Sequence, residues 1–158
     1  MELEELYDRI YRYCYFHTGR KELAEDLTQE TFLRFFHRNP SLHPEKQLAY
    51  LYTIAKNLCT DAYRKKREEL SGEVLENKAK EQDWPLEQTE LRLDLKDAIL
   101  HMDRLTQELL LLRCVDGLSP GETGKVLELS RFAVYRREKE ALRKLRDYFS
   151  HGNFFSWK

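Results

Sequence analysis

Apolar residues recur every three to four positions along most of this 158-residue chain, and the alternation that marks a strand is almost absent. A chain patterned in this way has few options. It folds as helices, and each helix must cover its apolar stripe against another. Leu3, Leu6, Tyr7, Ile10, Tyr13 and Cys14 predict a first amphipathic helix that stops near Thr18 and Gly19, a glycine C-cap. Leu23, Leu27, Thr31 and Phe35 line the expected buried face of a second helix, which ends before Asn39-Pro40. After a loop with two prolines, a third helix is expected from about Gln47 to Arg67, with Leu48, Leu51, Ile54, Ala55, Leu58 and Ala62 inward. Three such helices can close one small core.

The stretch Ser71 to Gln88 is charged, carries Gly72 and Pro85 and has few apolar anchors, so it reads as a linker. Its Trp84 either packs on a neighbouring domain or marks a docking point. A second core follows. Leu91, Leu95, Ile99 and Met102 belong to one helix, and Leu109 to Val115 to a short, very apolar one. Ser119-Pro120-Gly121-Glu122 then supplies serine at the N-cap, proline at the first helical position and glutamate at the third: a capping box with the preferred opening proline. That helix ends near Leu127. After a tight turn at Glu128-Leu129, Ser130 can cap a last helix from Arg131 to about Phe149. Two helices joined by so short a turn form the helix-turn-helix pattern. The expected fold class is therefore all-α: two small helical domains, 1–67 and 91–150, joined by an acidic linker over 68–90 and followed by an aromatic tail over 151–158.

Net charge is −1 and argues for nothing, but its distribution does. Acids dominate from Glu68 to Asp97, and basic clusters lie on either side, an asymmetry that points to nucleic acid. At the start of the last helix, Arg131, Phe132, Tyr135 and Arg136 occupy the positions that meet base edges in a helix-turn-helix. Arginine can pair with guanine in two-pronged fashion, and an apolar group can touch a thymine methyl. Arg137 and Lys139 suit phosphates. On the third helix, Tyr50, Tyr52 and Tyr63 stand among Lys56, Asn57, Arg64, Lys65, Lys66 and Arg67. Aromatic faces stack unpaired bases while cations follow the backbone, so this helix suits opening or single-stranded DNA. Tyr52 reads as core with its hydroxyl at water, and Tyr63 as functional. On the second helix, Asp26, Gln29, Glu30, Phe32 and Phe36 are expected to point away from the core as a docking face for a basic helical partner.

Catalysis finds little support. There is no P-loop, no glycine-rich nucleotide turn and no HExxH. His17, His37, His43, His101 and His151 are scattered, and Asp26 and Glu30 have no histidine partner. The cysteines, Cys14, Cys59 and Cys114, lack metal-type spacing and read as reduced thiols of a cytoplasmic protein. No signal peptide and no bilayer-spanning apolar run is present.

Taken together, these segments resemble the extracytoplasmic-function (ECF, group IV) sigma factors of bacterial RNA polymerase, over about Leu3 to Tyr148. AEDLTQETFLRFF (Ala24 to Phe36) is similar to the region-two helix that docks on the polymerase clamp. AYLYTIAKNLCTDAYRKKR (Ala49 to Arg67) is similar to the promoter-melting helix, with the A-K-N-x-x-x-D-x-x-R pattern at Ala55, Lys56, Asn57, Asp61 and Arg64. Leu105 to Arg146 is similar to region four, which reads the minus-thirty-five element and binds the polymerase flap. The resemblance implies that Asp26, Gln29, Glu30, Phe32 and Phe36 meet core polymerase. It implies that Lys56, Asn57, Tyr63, Arg64, Lys65 and Lys66 contact the minus-ten DNA, and that the loop His37 to Gln47 captures a flipped base. It further implies that Arg131, Phe132, Tyr135, Arg136, Arg137 and Lys139 read the upstream element, and that an anti-sigma factor covers the polymerase- and DNA-binding faces. No cofactor, metal or covalent chemistry is implied. The sequence departs from the family pattern in four places: Tyr50 stands where tryptophan is common, Gly124 replaces a usual alanine, Glu128 a usual turn glycine, and Phe132-Ala133 a usual Gly-Thr pair. The competing reading is a stand-alone helix-turn-helix regulator, and a third is a sigma-like decoy that binds polymerase without opening promoters.

Overall fold

The computed structural model describes residues 2–38, 44–69 and 93–150, and among them there are helices and no strands. The chain divides into two compact units at Glu90/Leu91. The expected all-α class with two helical domains holds. The linker, Trp84 and the aromatic tail lie outside the described residues.

The first unit packs α1 (Leu3–Thr18), α2 (Lys21–Arg38) and α3 (Pro44–Glu69) against one another. α1 ends as its sequence predicts: Gly19 takes a left-handed conformation (φ 68°) and its N–H donates to the Tyr15 carbonyl at 2.8 Å. Leu6, Ile10, Tyr13 and Cys14 face inward. α2 buries Ala24, Thr28, Thr31, Phe32 and Phe35. A threonine can sit inside a helical core when its hydroxyl finds a local acceptor. Here the Thr28 hydroxyl donates to the Ala24 carbonyl at 2.6 Å and Thr31 to Leu27 at 2.7 Å. Leu23 and Leu27, expected inside, are only half-buried.

α3 opens three residues earlier than expected, at Pro44, whose ring suits a first helical turn. It also runs on past the expected domain end at Arg67 to Glu69. Leu48, Ala49, Leu51, Tyr52, Ala55, Leu58 and Cys59 are buried, whereas Ile54 and Ala62 are half-buried. Tyr52 meets Tyr13 edge-on at 5.3 Å. It is core, as expected, but its hydroxyl is buried with it and not at water. Cys14 of α1 and Cys59 of α3 hydrogen-bond in this core. That contact holds the Cys14 thiol below its ordinary pKa.

The second unit begins with α4 (Leu93–Leu100), then α5 (Arg104–Leu110), which continues into a π turn over Leu111–Val115. The sequence placed one short helix over Leu109 to Val115; the structure starts it earlier because Asp103 caps it, accepting the Thr106 N–H at 2.9 Å. Gln107 is buried, and its amide donates to the carbonyls of Ile99 (3.0 Å) and Met102 (2.9 Å), so one side chain closes the end of α4. The π turn is marked by the Asp116 N–H reaching back to Leu111 at 2.9 Å. Within it, Arg113 donates to the Leu118 carbonyl at 2.7 Å and to Glu138 at 2.7 and 3.3 Å.

α6 (Pro120–Leu127) and α7 (Arg131–Ser150) complete the unit. The capping box forms as the sequence predicts: Glu122 N–H to Ser119 Oγ at 3.0 Å and Ser119 N–H to Glu122 Oε1 at 2.8 Å. Glu128 accepts a left-handed conformation (φ 59°), a state costly for a residue with a Cβ. Gly124 is explained by the same turn. A Cβ there would lie 2.5 Å from the Leu129 carbonyl oxygen, so the usual alanine does not fit. Among the described residues, no helix is long and apolar enough to cross a membrane.

Candidate nucleic-acid interface

α7 is held from three directions, and this fixes which face it leaves open. Ser130 Oγ accepts the Ala133 N–H at 3.0 Å and starts the helix. Val134, Ala141 and Tyr148, seven residues apart, form the inward stripe. The Tyr148 hydroxyl donates to Asp97 on α4 at 3.2 Å, and Arg113 clamps Glu138 at mid-helix. Leu142, one position beyond Ala141, falls off this stripe and is 41% exposed.

The open face begins with Phe132, 73% exposed, and Tyr135, 52% exposed. Arg131, Arg136, Arg137 and Lys139 are exposed as well. They are not equivalent. The Arg131 guanidinium folds back over Gly121 in the first turn of α6, 3.6 Å from where a Cβ would stand. Arg137 lies 3.9 Å from the Asp103 carboxylate, at a groove of about 750 Å³ whose charges are mixed. Hydrogen bonds from the Thr106 side chain and backbone hold the Asp103 carboxyl below its usual range, and Arg137 adds to this. Arg136 and Lys139 have no such tie among the described residues.

On α3, Asn57, Arg64 and Lys65 are exposed, Tyr63 is partly so, and Lys56 and Lys66 are half-buried. Helical spacing puts Lys56, Tyr63 and Arg67 on one side and Asn57, Asp61 and Arg64 beside them. Arg67 sits over the Tyr63 ring at 5.9 Å, and Arg64 reaches Asp61 at 3.3 Å, a solvent-exposed pair of little energetic weight. Tyr50 is half-buried, 5.9 Å from Phe35. The expected His37 to Gln47 loop is shorter than the sequence suggests: His37 and Arg38 belong to α2 and residues 44–47 to α3, while residues 39–43 lie outside the described residues.

On α2, Asp26 and Gln29 are exposed, and Phe36 is 50% exposed. Glu30 is half-buried and holds Arg34 at 2.9 Å. Phe32 corrects the sequence reading: it is 7% exposed and stacks on Tyr7 of α1 at 5.5 Å, because it falls on the stripe that continues Thr28. The apolar group that does point outward is Leu33, 65% exposed, which the sequence reading missed. Its signal was the spacing of Asp26, Gln29, Leu33 and Phe36, three and four residues apart along one face.

These features define a bipartite all-α protein: a helix-turn-helix unit, and a three-helix unit that pairs a cationic helix with an exposed polar and apolar stripe. Two family models match it, Sigma-70 region 2 over residues 3–69 and Sigma-70, region 4 over residues 98–147. Among curated proteins it is 36% identical over 146 residues to the ECF RNA polymerase sigma factor BldN of Streptomyces coelicolor, covering 87% of this chain and 55% of that one. It is 31% identical to SigE of Mycolicibacterium smegmatis (90% and 58% covered) and 32% identical to SigW of Bacillus subtilis (89% and 84% covered). The chain thus spans little more than half the length of the first two relatives. Its backbone is similar to that of the sigma factor RpoE of Bartonella quintana, solved with the anti-sigma factor NepR, with a TM-score of 0.65 at 19% identity over 94% of both chains, a likeness of fold. The chain belongs to the ECF RNA polymerase sigma factors.

Proposed function

We propose that this protein is a promoter-specificity factor. It binds core RNA polymerase through the α2 face, engages and helps to open the minus-ten element through α3, and reads the minus-thirty-five element through α7. The observation that carries this reading is the pairing, in one chain, of two separate cation-and-aromatic helical faces with an acid, amide and apolar stripe on α2. A free-standing duplex binder needs only the first of these. The acids and amide of that stripe, Asp26, Gln29 and Glu30, suit a basic helical partner, and Leu33 joins Phe36 as its apolar contact. Phe32 serves by fixing α2 to α1 from inside.

The division of labour follows the units: residues 1–69 for polymerase and minus-ten DNA, and residues 91–150 for the upstream element. The protein does no covalent chemistry of its own. An anti-sigma factor that covers these same faces holds it inactive, in some cells at the membrane. RpoE, described above as solved with NepR, supports this reading by analogy.

Single-round transcription with purified core polymerase on a pooled promoter library tests the proposal. Transcripts from a defined set of start sites only when the protein is present are expected. Binding to core without new transcripts would leave a decoy, and DNA binding without core would leave a stand-alone regulator. Recovery of no inhibitor from unstressed cells would count against the anti-sigma partner alone.

A further inference from the structure

The first turn of α7 carries one side chain that stands clear of the unit around it. Ser130 is spent on the Ala133 N–H. Ala133 and Val134 face the unit. Arg131 lies back over Gly121. Phe132 stands forward, 73% exposed, on the face it shares with Tyr135, Arg136 and Lys139. In a helix-turn-helix this turn is the part of the second helix that enters the major groove. A phenylalanine ring has no donor or acceptor and cannot read a base edge by hydrogen bonding. The one base-pair feature in the major groove that an apolar group recognises is the 5-methyl of thymine.

We propose that Phe132 is a specificity-determining residue: its ring packs against a thymine methyl, so the upstream element of this factor carries thymine opposite the first turn of α7. This rests on the promoter-reading function assigned above to α7. It adds the chemical identity of one base that is read and the side chain that reads it. Phe132 selects by shape and apolar contact, Arg136 by hydrogen bonding, and Arg131, set back, holds the backbone.

The test uses the full chain bound to core polymerase. An upstream element is first selected from promoters randomised in that region. Each thymine of the selected element is then replaced, one at a time, by 2′-deoxyuridine, which pairs identically and lacks only the methyl. At one position, methyl removal should weaken wild-type binding about fourfold, the effect of one buried methyl-sized group. Phe132→Ala should bind the thymine and uracil forms equally, about as the wild type binds the uracil form, whereas Phe132→Leu should keep part of the discrimination. A wild type indifferent to every upstream methyl overturns the proposal. So does a selected element without thymine, or a Phe132→Ala protein that discriminates as well as the wild type. Failure to select any promoter is a different result: it removes the sigma-factor function and this inference with it.

Discussion

Single residues in the second unit hold positions for reasons that substitution can expose. Gly124→Ala should gain about 1 kcal/mol of helix propensity and still destabilise the protein, because the new methyl meets the Leu129 carbonyl oxygen. Glu128→Gly should stabilise by about 1 kcal/mol by relieving the left-handed turn. Urea melts of both variants check this pair of opposite signs. Asp103→Ala should cost about 1 kcal/mol through loss of the α5 cap. In the folded protein the Thr106 hydrogen bonds hold the Asp103 carboxyl below the ordinary aspartate range. Its contribution is therefore complete above the ordinary value of the unfolded chain and is lost as the pH falls through the depressed one, so the Ala variant should match the wild type only in strong acid. Arg131→Ala should weaken promoter binding evenly across sequences and lower the salt slope by about 1, the behaviour of a phosphate contact.

At the scale of elements, the sequence was most legible where helices begin and end. The Ser119 box, the Gly19 cap and the Ser130 start are local chemistry, fixed within four residues, and the structure has all three. The faces of α2 were harder. Beside Thr31, which the sequence placed inside, its core side contains Thr28, which looks polar in sequence and becomes interior because its hydroxyl, like that of Thr31, bonds the preceding turn. Misreading that stripe exchanged Phe32 for Leu33. Phe32→Ala should therefore cost about 3–5 kcal/mol of stability. Leu33→Ala and Phe36→Ala should leave the melting curve nearly unchanged and weaken binding to core polymerase. The π turn at Leu111–Val115 was invisible in sequence because it depends on a partner far along the chain. Arg113 spans from Leu118 to Glu138 there. Arg113→Met should cost about 2 kcal/mol, since it leaves the half-buried Glu138 carboxylate without its cation. A double-mutant cycle with Glu138→Gln measures how much of that belongs to the pair.

For the whole molecule, the two units predict separable losses. Gln29→Ala with Glu30→Ala should reduce co-elution with core polymerase while upstream-element binding by the same chain persists. Arg136→Ala should do the reverse, lowering activity mainly at promoters that rely on the upstream element. Loss of one shared function in both proteins would contradict the division. The thiols offer an independent view of the same partition. Cys14 and Cys59 are sealed in the first unit, whereas Cys114 is exposed on the second, its thiol raised by partial shielding. Exposure leaves Cys114 open to reagent, and an alkaline solution offsets its raised pKa, so an alkylating reagent should mark the native chain once, at Cys114. The second and third marks can appear only when the three-helix core opens. The mass spectrum of a timed labelling reaction becomes a clock for the breathing of one unit, read while the other stays folded and without altering a single residue.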